Sequence, residues 1–305
     1  MHTNQMLSIA ALAQAEGCAV RTQEPLAQHT TFRIGGPAAL WVEVPTADVM
    51  AELHRACAES RVPCVVLGCG SNVLASDAGF DGVILHPAAP EFTQIAVTGG
   101  TVTAGAGAKL SALAVCARDH GLSGLEFAYG IPGSVGGAVY MNAGAYGGEI
   151  KDVLVRCTVL TRDHRIETRP AESLALAYRH SALMDDDAIV LSAEFALTPG
   201  DPEQIGAQMN DYMARRKAKQ PLDLPSAGST FKRPAGAFAG ALIEQCGLKG
   251  ARVGDAQVSE KHAGFIVNLG NATAGNVRAL ISHVQKVVEM ETGFRLECEI
   301  RTLGG

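Results

Sequence analysis

The pattern of apolar and polar positions divides the first third of the chain into alternating strands and helices. Apolar runs at residues 40–44, 62–68 and 82–86 are typical of buried strands. Residues 46–60 carry apolar positions at helical spacing after Thr46, a favourable N-terminal cap, and residues 7–16 indicate a short amphipathic helix. This order is a β-α-β rhythm.

Strands outnumber helices in the middle of the chain. One helix is predicted at residues 109–121, with short strands on either side of it. A strand pair follows at 153–162 and 165–169, and a longer apolar strand at 188–197. The middle third is therefore predicted to be an α+β unit.

The last third begins after a helix that enters through the turn at 199–203 and stops before Pro221. The stretch 221–229 is rich in Pro, Ser and Gly and is predicted to be a linker, with no strand leading directly into Ser229. A long helix is predicted at 273–293, ending at Gly293, and a strand at 295–303. One face of that helix is apolar: Val277, Leu280, Ile281, Val284, Val287 and Val288.

Composition narrows the class of protein. A chain of 305 residues suggests two or three domains, and a net charge of −6 gives no global field to attract nucleic acid. No apolar run reaches the roughly 18 residues of a membrane span, and no signal peptide is recognisable. The eight Cys and nine His show no metal-ligand spacing. We therefore expect a cytoplasmic protein with neither a catalytic metal nor a nucleic-acid or membrane partner.

Two glycine-rich stretches stand out, "LGCGSNVL" at 67–74 and "GIPGSVGGAVYMNAGAYGGE" at 130–149. Glycine permits positive φ and lets amide groups crowd around an anion. Neither stretch matches a Rossmann fingerprint or a Walker loop. Spacing alone leaves phosphate binding and turn-rich packing equally open. Two such loops about sixty residues apart favour a diphosphate with a large attached ring system.

Six ordered motifs together are similar to one family, the UDP-N-acetylenolpyruvoylglucosamine reductases. The resemblance extends from about residue 28 to the end of the chain. The motifs are "TTFRIGGPA" (30–38), "GCGSNVL" (68–74), "GLSGLEFAYGIPGSVGGAVYMNAGAYGGEI" (121–150), "YRHS" (178–181), "AGSTFKRP" (227–234) and "LECEIRTLG" (296–304).

The resemblance implies an α+β FAD-binding fold of the vanillyl-alcohol-oxidase type. It implies two FAD-binding subdomains, at residues 1–85 and 86–220, and a C-terminal α/β substrate-binding domain at 221–305. It also implies that NADPH reduces the bound FAD, which then reduces the enolpyruvyl ether of UDP-N-acetylglucosamine to UDP-N-acetylmuramate for peptidoglycan. The expected partners are these small molecules alone. The sequence carries no marker of oligomeric state, and we favour a monomer.

The resemblance assigns catalytic roles to three residues. It implies that Ser229 donates the proton, that Arg179 binds the enolpyruvyl carboxylate and that Glu299 assists from the last strand. Each residue also has a plainer interpretation. Ser229 fits a loop serine that bonds nearby backbone, Arg179 a surface arginine at a strand end, and Glu299 a solvated strand face that it shares with Glu297.

The resemblance also implies the binding residues. Those for the cofactor are Arg33, Gly68, Gly70, Ser71, Asn72, Gly130, Ile131, Pro132, Gly133, Ser134, Gly137, Asn142, Gly144, Ala145 and Tyr146. Those for the substrate or NADPH are Tyr178, Lys219, Lys232 and Arg233. Tyr178 equally fits a core position. Lys219 also fits a helix C-terminus, where cations are favourable in any case.

Two other functions stay open. One is an oxidase or dehydrogenase of the same fold that acts on a hydroxy acid or a sugar, and the other is a sugar-nucleotide binding protein without flavin. Only 39 residues, positions 180–218, separate Arg179 from Lys219. This spacing resembles the short subclass of the family, which lacks the insertion whose tyrosine covers the substrate.

Overall fold

The computed structural model describes residues 3–305. Its helices are α1 (Thr3–Ala15), α2 (Ala47–Glu59), α3 (Pro90–Thr93), α4 (Leu110–Asp119), α5 (Val135–Tyr140), α6 (Pro202–Lys219), α7 (Ala239–Gln245) and α8 (Ala274–Thr292). Within residues 3–305, no helix is both long enough and apolar enough to cross a membrane.

The strands follow in chain order. They are β1 (Ala19–Pro25), β2 (Pro37–Glu43), β3 (Cys64–Val66), β4 (Val73–Ala75), β5 (Phe80–His86), β6 (Ile95–Thr98), β7 (Thr101–Gly105), β8 (Leu122–Ser123), β9 (Gly144–Ala145), β10 (Gly148–Glu149), β11 (Leu154–Leu160), β12 (Ile166–Pro170), β13 (Ile189–Ala196), β14 (Thr198–Pro199), β15 (Ser226–Ser229), β16 (Arg252–Val253), β17 (Ala256–Val258), β18 (Phe265–Asn268) and β19 (Arg301–Leu303).

The chain divides into two compact units, each made of discontinuous segments. The first unit comprises the described residues up to Thr22, then Leu40–Cys69 and Gly82–Arg215. The second comprises Gln23–Ala39, Gly70–Asp81 and Arg216–Gly305. The division into three domains at residues 85 and 220 stays a prediction.

The first unit contains two hydrophobic clusters. One includes Trp41's neighbours on β2, the inner face of α2 and the parallel pair β3–β5, with Leu53 and Val83 fully buried. Helix α2 begins as predicted, because the Thr46 side chain accepts a hydrogen bond from the Val49 amide at 3.3 Å. The other cluster packs α4 and α5 on an antiparallel sheet of order β12-β11-β13-β7-β6.

The second unit has its own core, built on a four-stranded antiparallel sheet of order β15-β18-β17-β16. Helix α8 buries the predicted apolar face against it, including Val277, Leu280 and Val284. The helix ends as predicted, with Gly293 in the left-handed region at φ 76°. The parallel pair β4–β19 completes this unit.

Two sequence expectations about elements were wrong, and some strands were not predicted. The predicted linker contains strand β15, which leads directly into Ser229, because residues 226–229 pair with β18. The predicted strand 295–303 is regular only at Arg301–Leu303, and before it only Cys298 makes an isolated bridge, to Phe231. Strands β1 and β4 were not predicted, since their short runs lack a clear apolar alternation.

Candidate active site

The two glycine-rich loops touch each other in the first unit. Gly68 follows β3, and a Cβ atom placed on it would lie 2.3 Å from Oγ of Ser134 in the second loop. Ser134 is 4% exposed, so its side chain has little room to move away. Because 2.3 Å is well inside van der Waals contact, only glycine permits this approach. The sequence predicted that both loops bind the cofactor, and the structure shows in addition that the two loops contact each other.

Several amides in these loops lack a protein acceptor. In the part of the chain that the structure describes, the amides of residues 68–72 donate no hydrogen bond to protein, and neither do those of Gly133 and Ser134. Successive amides of this kind form a concave, electropositive cradle for an anion. Their chemistry fits the diphosphate of FAD, and the glycines keep side chains out of the cradle.

Arg33 lies in a turn that packs against the first loop within the second unit. The Thr31 amide donates to the carbonyl of Gly70 at 3.3 Å, and Arg33 itself has φ 55°. Gly70 also has positive φ, and a Cβ there would lie 2.1 Å from the carbonyl oxygen of His29. The exposed guanidinium of Arg33 therefore extends from a turn that contacts the Gly70 loop.

Asn72 connects this loop to the last strand. Its Nδ2 donates to the carbonyl of Glu299 at 3.2 Å, and its own carbonyl accepts from the Arg301 amide at 2.9 Å. The Asn72 side chain, which is predicted to bind the cofactor, thus holds the backbone of Glu299, which is predicted to be catalytic. Ser71, beside it, is half-buried and has both its amide and its hydroxyl available within the described residues.

In the second unit, the segment that follows Ser229 pairs through its backbone with the segment that contains Glu299. Strand β15 pairs with β18 through an irregular register between Ser226 and Ser229, where Gly228 adopts φ 77°. Bulges of this type redirect the side chain that follows them. The Glu299 amide then donates to the carbonyl of Thr230 at 2.8 Å, so the two segments run side by side. Both Ser229 and Glu299 are half-buried.

The cations predicted to bind substrate have different surroundings. Lys232 faces Glu297 across the same backbone pairing, with Nζ 3.5 Å from Oε2. The Arg233 guanidinium lies 4.6 Å from the ring centroid of Phe238, which is 61% exposed. Lys219 is exposed at the end of α6. Lys232 thus pairs with Glu297 at the surface, whereas Glu299 bonds through its backbone amide to Thr230, the residue after Ser229.

Tyr178 and Arg179 occupy the two corner positions of a tight turn in the first unit. The amides and carbonyls of Ala177 and His180 bond each other at 3.1 Å in both directions. Arg179 has φ 54°, a conformation that costs a non-glycine residue about 1 kcal/mol or more. Tyr178 is 47% exposed, which excludes a core role, and its ring centroid lies 5.3 Å from the Arg179 guanidinium carbon.

Asn142 is 1% exposed and has φ 41°. Its Nδ2 donates to Glu149 Oε2 at 2.8 Å and to the Ala177 carbonyl at 3.0 Å, while its Oδ1 accepts from the Lys151 amide at 2.9 Å. The two donated bonds use both N–H groups of Nδ2. The Lys151 side chain, which bonds Glu149, is the main cause of a lowered pKa at that carboxyl.

The remaining members of the second loop lie in short elements or in the segments between them. Gly144 and Ala145 form β9, which pairs with β10. Tyr146 stacks on Tyr212 of α6, with ring centroids 4.6 Å apart and planes 9° from parallel. Gly137 lies in α5, and Gly130, Ile131, Pro132 and Gly133 form the turn before it. The sequence did not predict the role of Tyr212, because no feature of α6 indicates that Tyr212 stacks on Tyr146, which lies far from it in sequence.

Comparison with known proteins gives two matching family models. One is described as "FAD binding domain" and matches residues 38–168. The other is described as "UDP-N-acetylenolpyruvoylglucosamine reductase, C-terminal domain" and matches residues 220–303. The UDP-N-acetylenolpyruvoylglucosamine reductase of Agathobacter rectalis is 50% identical to this chain over 295 residues, covering 92% of this chain and 93% of that protein.

The chain belongs to the UDP-N-acetylenolpyruvoylglucosamine reductase family. The enzyme of that name from Streptococcus pneumoniae is 45% identical and covers 95% of each chain. The crystal structure of UDP-N-acetylenolpyruvylglucosamine reductase from Thermus caldophilus superposes with a TM-score of 0.82 at 37% identity, covering 94% of this chain and 99% of that one.

Family membership confirms the sequence-based fold. The chain has an α+β fold with an FAD-binding domain followed by the C-terminal domain of the reductase family. The vanillyl-alcohol-oxidase type stays a prediction. FAD is the cofactor of this family member, and the free amides of the two glycine-rich loops suit it. Among residues 3–305, no group of three or more His, Cys, Asp and Glu side chains is arranged to hold a metal ion.

Proposed function

We propose that this flavoenzyme uses NADPH to reduce the enolpyruvyl ether of UDP-N-acetylglucosamine to UDP-N-acetylmuramate, with Ser229 as the proton donor. The family supports an FAD-dependent oxidoreductase that acts on UDP-N-acetylenolpyruvoylglucosamine. The observation that carries the proposal is the 2.8 Å bond from the Glu299 amide to the Thr230 carbonyl. That bond sets the Ser229 segment beside Glu299, as a shared role in one proton transfer requires.

The two glycine-rich loops would hold the diphosphate of FAD. When bound, FAD supplies hydride transfer, with NADPH as the donor and the methylene carbon of the enolpyruvyl group as the acceptor. Amides around Gly68 and Ser134 offer donors without a competing protein acceptor. The Arg33 guanidinium, on the turn that contacts Gly70, is a further partner for the cofactor's negative charge.

Ser229 completes the reaction by protonation. After hydride reaches the methylene carbon, negative charge develops at the carbon that bears the carboxylate. The Ser229 Oγ–H gives its proton to that carbon, and the resulting alkoxide is reprotonated from solvent. A hydroxyl is a weak acid, so nearby donors and positive charge must stabilise the alkoxide. The bulge at Gly228 sets the direction of the Ser229 side chain.

Arg179 and Glu299 have complementary roles in the proposal. The Arg179 guanidinium binds the enolpyruvyl carboxylate through two parallel hydrogen bonds and stabilises its dianionic form. Glu299 orients donors near the protonated carbon from the strand segment beside Thr230. Its backbone is held from the other side by Asn72.

The remaining cations serve the phosphates in the proposal. Lys219, Lys232 and Arg233 supply positive charge to the diphosphate of the sugar nucleotide or to the phosphates of NADPH. Lys219 and Arg233 are exposed, and a phosphate brought to Lys232 competes with Glu297 for its ammonium group. The cytoplasmic location and the monomeric state stay predictions.

Anaerobic visible absorbance tests the overall reaction. The FAD band of the purified holoprotein should bleach on addition of NADPH and return on addition of UDP-N-acetylglucosamine enolpyruvate. A band that bleaches and stays bleached would favour an oxidoreductase of the same fold with another substrate. A protein that never binds FAD would contradict the flavoenzyme itself.

The variant Ser229→Ala tests the proton donor. We expect flavin reduction by NADPH to stay near the wild-type rate, because that step needs no proton from Ser229. Reoxidation by the enolpyruvyl substrate should slow by at least about 10³-fold. Stopped-flow absorbance measures both steps.

Ser226→Ala is the matched control, since Ser226 is a half-buried serine on the same strand. It should leave both rates within about twofold. Equal slowing of both half-reactions in Ser229→Ala would count against the acid role and indicate a general disturbance of the site.

A further inference from the structure

The turn that carries Arg179 is fastened to the second glycine-rich loop by two buried side chains. Ser181 is 0% exposed, and its Oγ donates to the Tyr140 carbonyl at 2.7 Å. Asn142, also buried, donates through Nδ2 to the Ala177 carbonyl at 3.0 Å. One anchor therefore holds each end of the turn, and the two connect it to Tyr140 at the end of α5 and to Asn142 just after it, all within the first unit.

This arrangement fits the conformation of Arg179. A non-glycine residue at φ 54° is held in a sparsely populated region and persists there only if its surroundings fix it. The bonds between Ala177 and His180 close the turn, but they do not connect it to the rest of the fold. The bonds from Ser181 and Asn142 make that connection. Glu149, which also bonds Asn142, adds negative charge that acts on Arg179.

We infer that Ser181 and Asn142 are positioning residues for Arg179: they set the place from which its guanidinium meets the substrate carboxylate. The inference rests on the proposed function, which gives Arg179 that role. Neither side chain needs to contact the reacting atoms. Their hydrogen bonds end on main-chain carbonyls, so they act on Arg179 through the position of the backbone.

The first test reads the turn itself and needs no substrate. In Ser181→Ala, amide hydrogen exchange at Ala177 and His180 should become roughly tenfold faster, because the mutual bonds of that turn lose an anchor. Ser173→Ala is the matched control, since Ser173 Oγ donates to the Pro170 carbonyl at 2.7 Å on the exposed surface of the same unit. Exchange at Ala177 and His180 that stays unchanged in Ser181→Ala would overturn the anchoring.

The second test is a double-mutant cycle on flavin reoxidation by the enolpyruvyl sugar nucleotide. A displacement of about 1 Å of a substrate-binding group costs up to about 100-fold, so Ser181→Ala should slow this step by about 10- to 100-fold. Reduction by NADPH should stay within about twofold of wild type. Adding Ser181→Ala to Arg179→Ala should cause no further slowing, because the group that Ser181 positions is already absent.

The outcomes separate this inference from the proposed function. If Arg179→Ala slows reoxidation but Ser181→Ala slows it equally in both backgrounds, positioning is overturned while the reductase stands. If Arg179→Ala leaves reoxidation unchanged, the role of Arg179 fails and the inference fails with it. Should Ser181→Ala not fold, Asn142→Gly provides the same cycle, since glycine tolerates φ 41° and the substitution removes the bond to the Ala177 carbonyl without adding a charge beside Glu149.

Discussion

At the scale of single residues, some glycines in the glycine-rich loops lie so close to neighbouring atoms that a Cβ atom would clash with them. Gly68 is one case, because a Cβ atom placed on it would lie 2.3 Å from the Oγ of Ser134. The contact joins the two loops whose free amides suit a diphosphate. The sequence marks both loops as glycine-rich but does not reveal which glycine is sterically required.

We predict that Gly68→Ala weakens FAD binding by about 5- to 150-fold, since an overpacked contact costs about 1–3 kcal/mol. Adding Ser134→Ala removes the oxygen that clashes and should restore part of the affinity. Fluorescence titration of the apoprotein with FAD measures both effects.

Gly206→Ala is the control for this substitution, because its added Cβ would make only an ordinary contact of 3.4 Å with the Arg118 side chain. It should leave FAD affinity unchanged. An equal loss of affinity in Gly68→Ala with and without Ser134→Ala would show that the clash with Ser134 is not the cause.

At the scale of secondary-structure elements, α8 is capped by a residue that lies far from it in sequence. Both carboxylate oxygens of Asp77 accept hydrogen bonds at the helix start, from Ala274 at 2.6 Å and from Gly275 at 2.9 Å. Thr273 and Asn276 add a reciprocal capping box. The helix could be predicted from its periodicity, whereas the cap from Asp77 could not, because it depends on a tertiary contact.

We predict that Asp77→Ala lowers the free energy of unfolding by about 1 kcal/mol, through the loss of two charge-assisted bonds and of a negative charge at a helix N-terminus. Denaturant titration followed by circular dichroism measures the change. Asp81→Ala is the control, because Asp81 is exposed and its side chain makes no hydrogen bond within residues 3–305. A loss of similar size in both variants would contradict the capping role.

At the scale of the whole molecule, two half-buried histidines, His54 and His262, make stability depend on pH. Burial lowers the pKa of His54, and the neighbouring His164, with Nδ1 atoms 3.0 Å apart, lowers it further; Asp187 acts in the opposite direction. Burial likewise lowers the pKa of His262. Both rings are therefore more easily protonated in the unfolded chain, and their contribution to stability is complete only above pH 6.5.

We predict that the free energy of unfolding decreases as pH falls below 6.5 towards the lowered pKa of His54. His54→Gln should reduce the slope of stability against pH in that window, whatever its effect at pH 8. Thermal unfolding across pH 5–8 measures the slope. His283→Gln is the control, since His283 is exposed on α8, and it should retain the wild-type slope. A wild-type slope in His54→Gln would contradict the assignment.

The sequence by itself determined the parts of this protein whose signals are local. Periodicity predicts α2 and α8, since the residues that bury an element recur along it, and the six ordered motifs predict the family and the FAD. The roles of Ser229, Arg179 and Glu299 stay predictions. Helix periodicity depends on side chains a few positions apart, and the family motifs are continuous stretches of sequence.

Only the tertiary structure decided the features that join distant segments. Strand β15 exists because β18 pairs with it, although its own residues indicate a linker. Asn72 holds the Glu299 backbone from a position 227 residues away, and Ser181 fastens the turn of Arg179 to Tyr140. Such bonds carry no signature in local composition, because any polar residue suffices until folding brings its partner within hydrogen-bond distance.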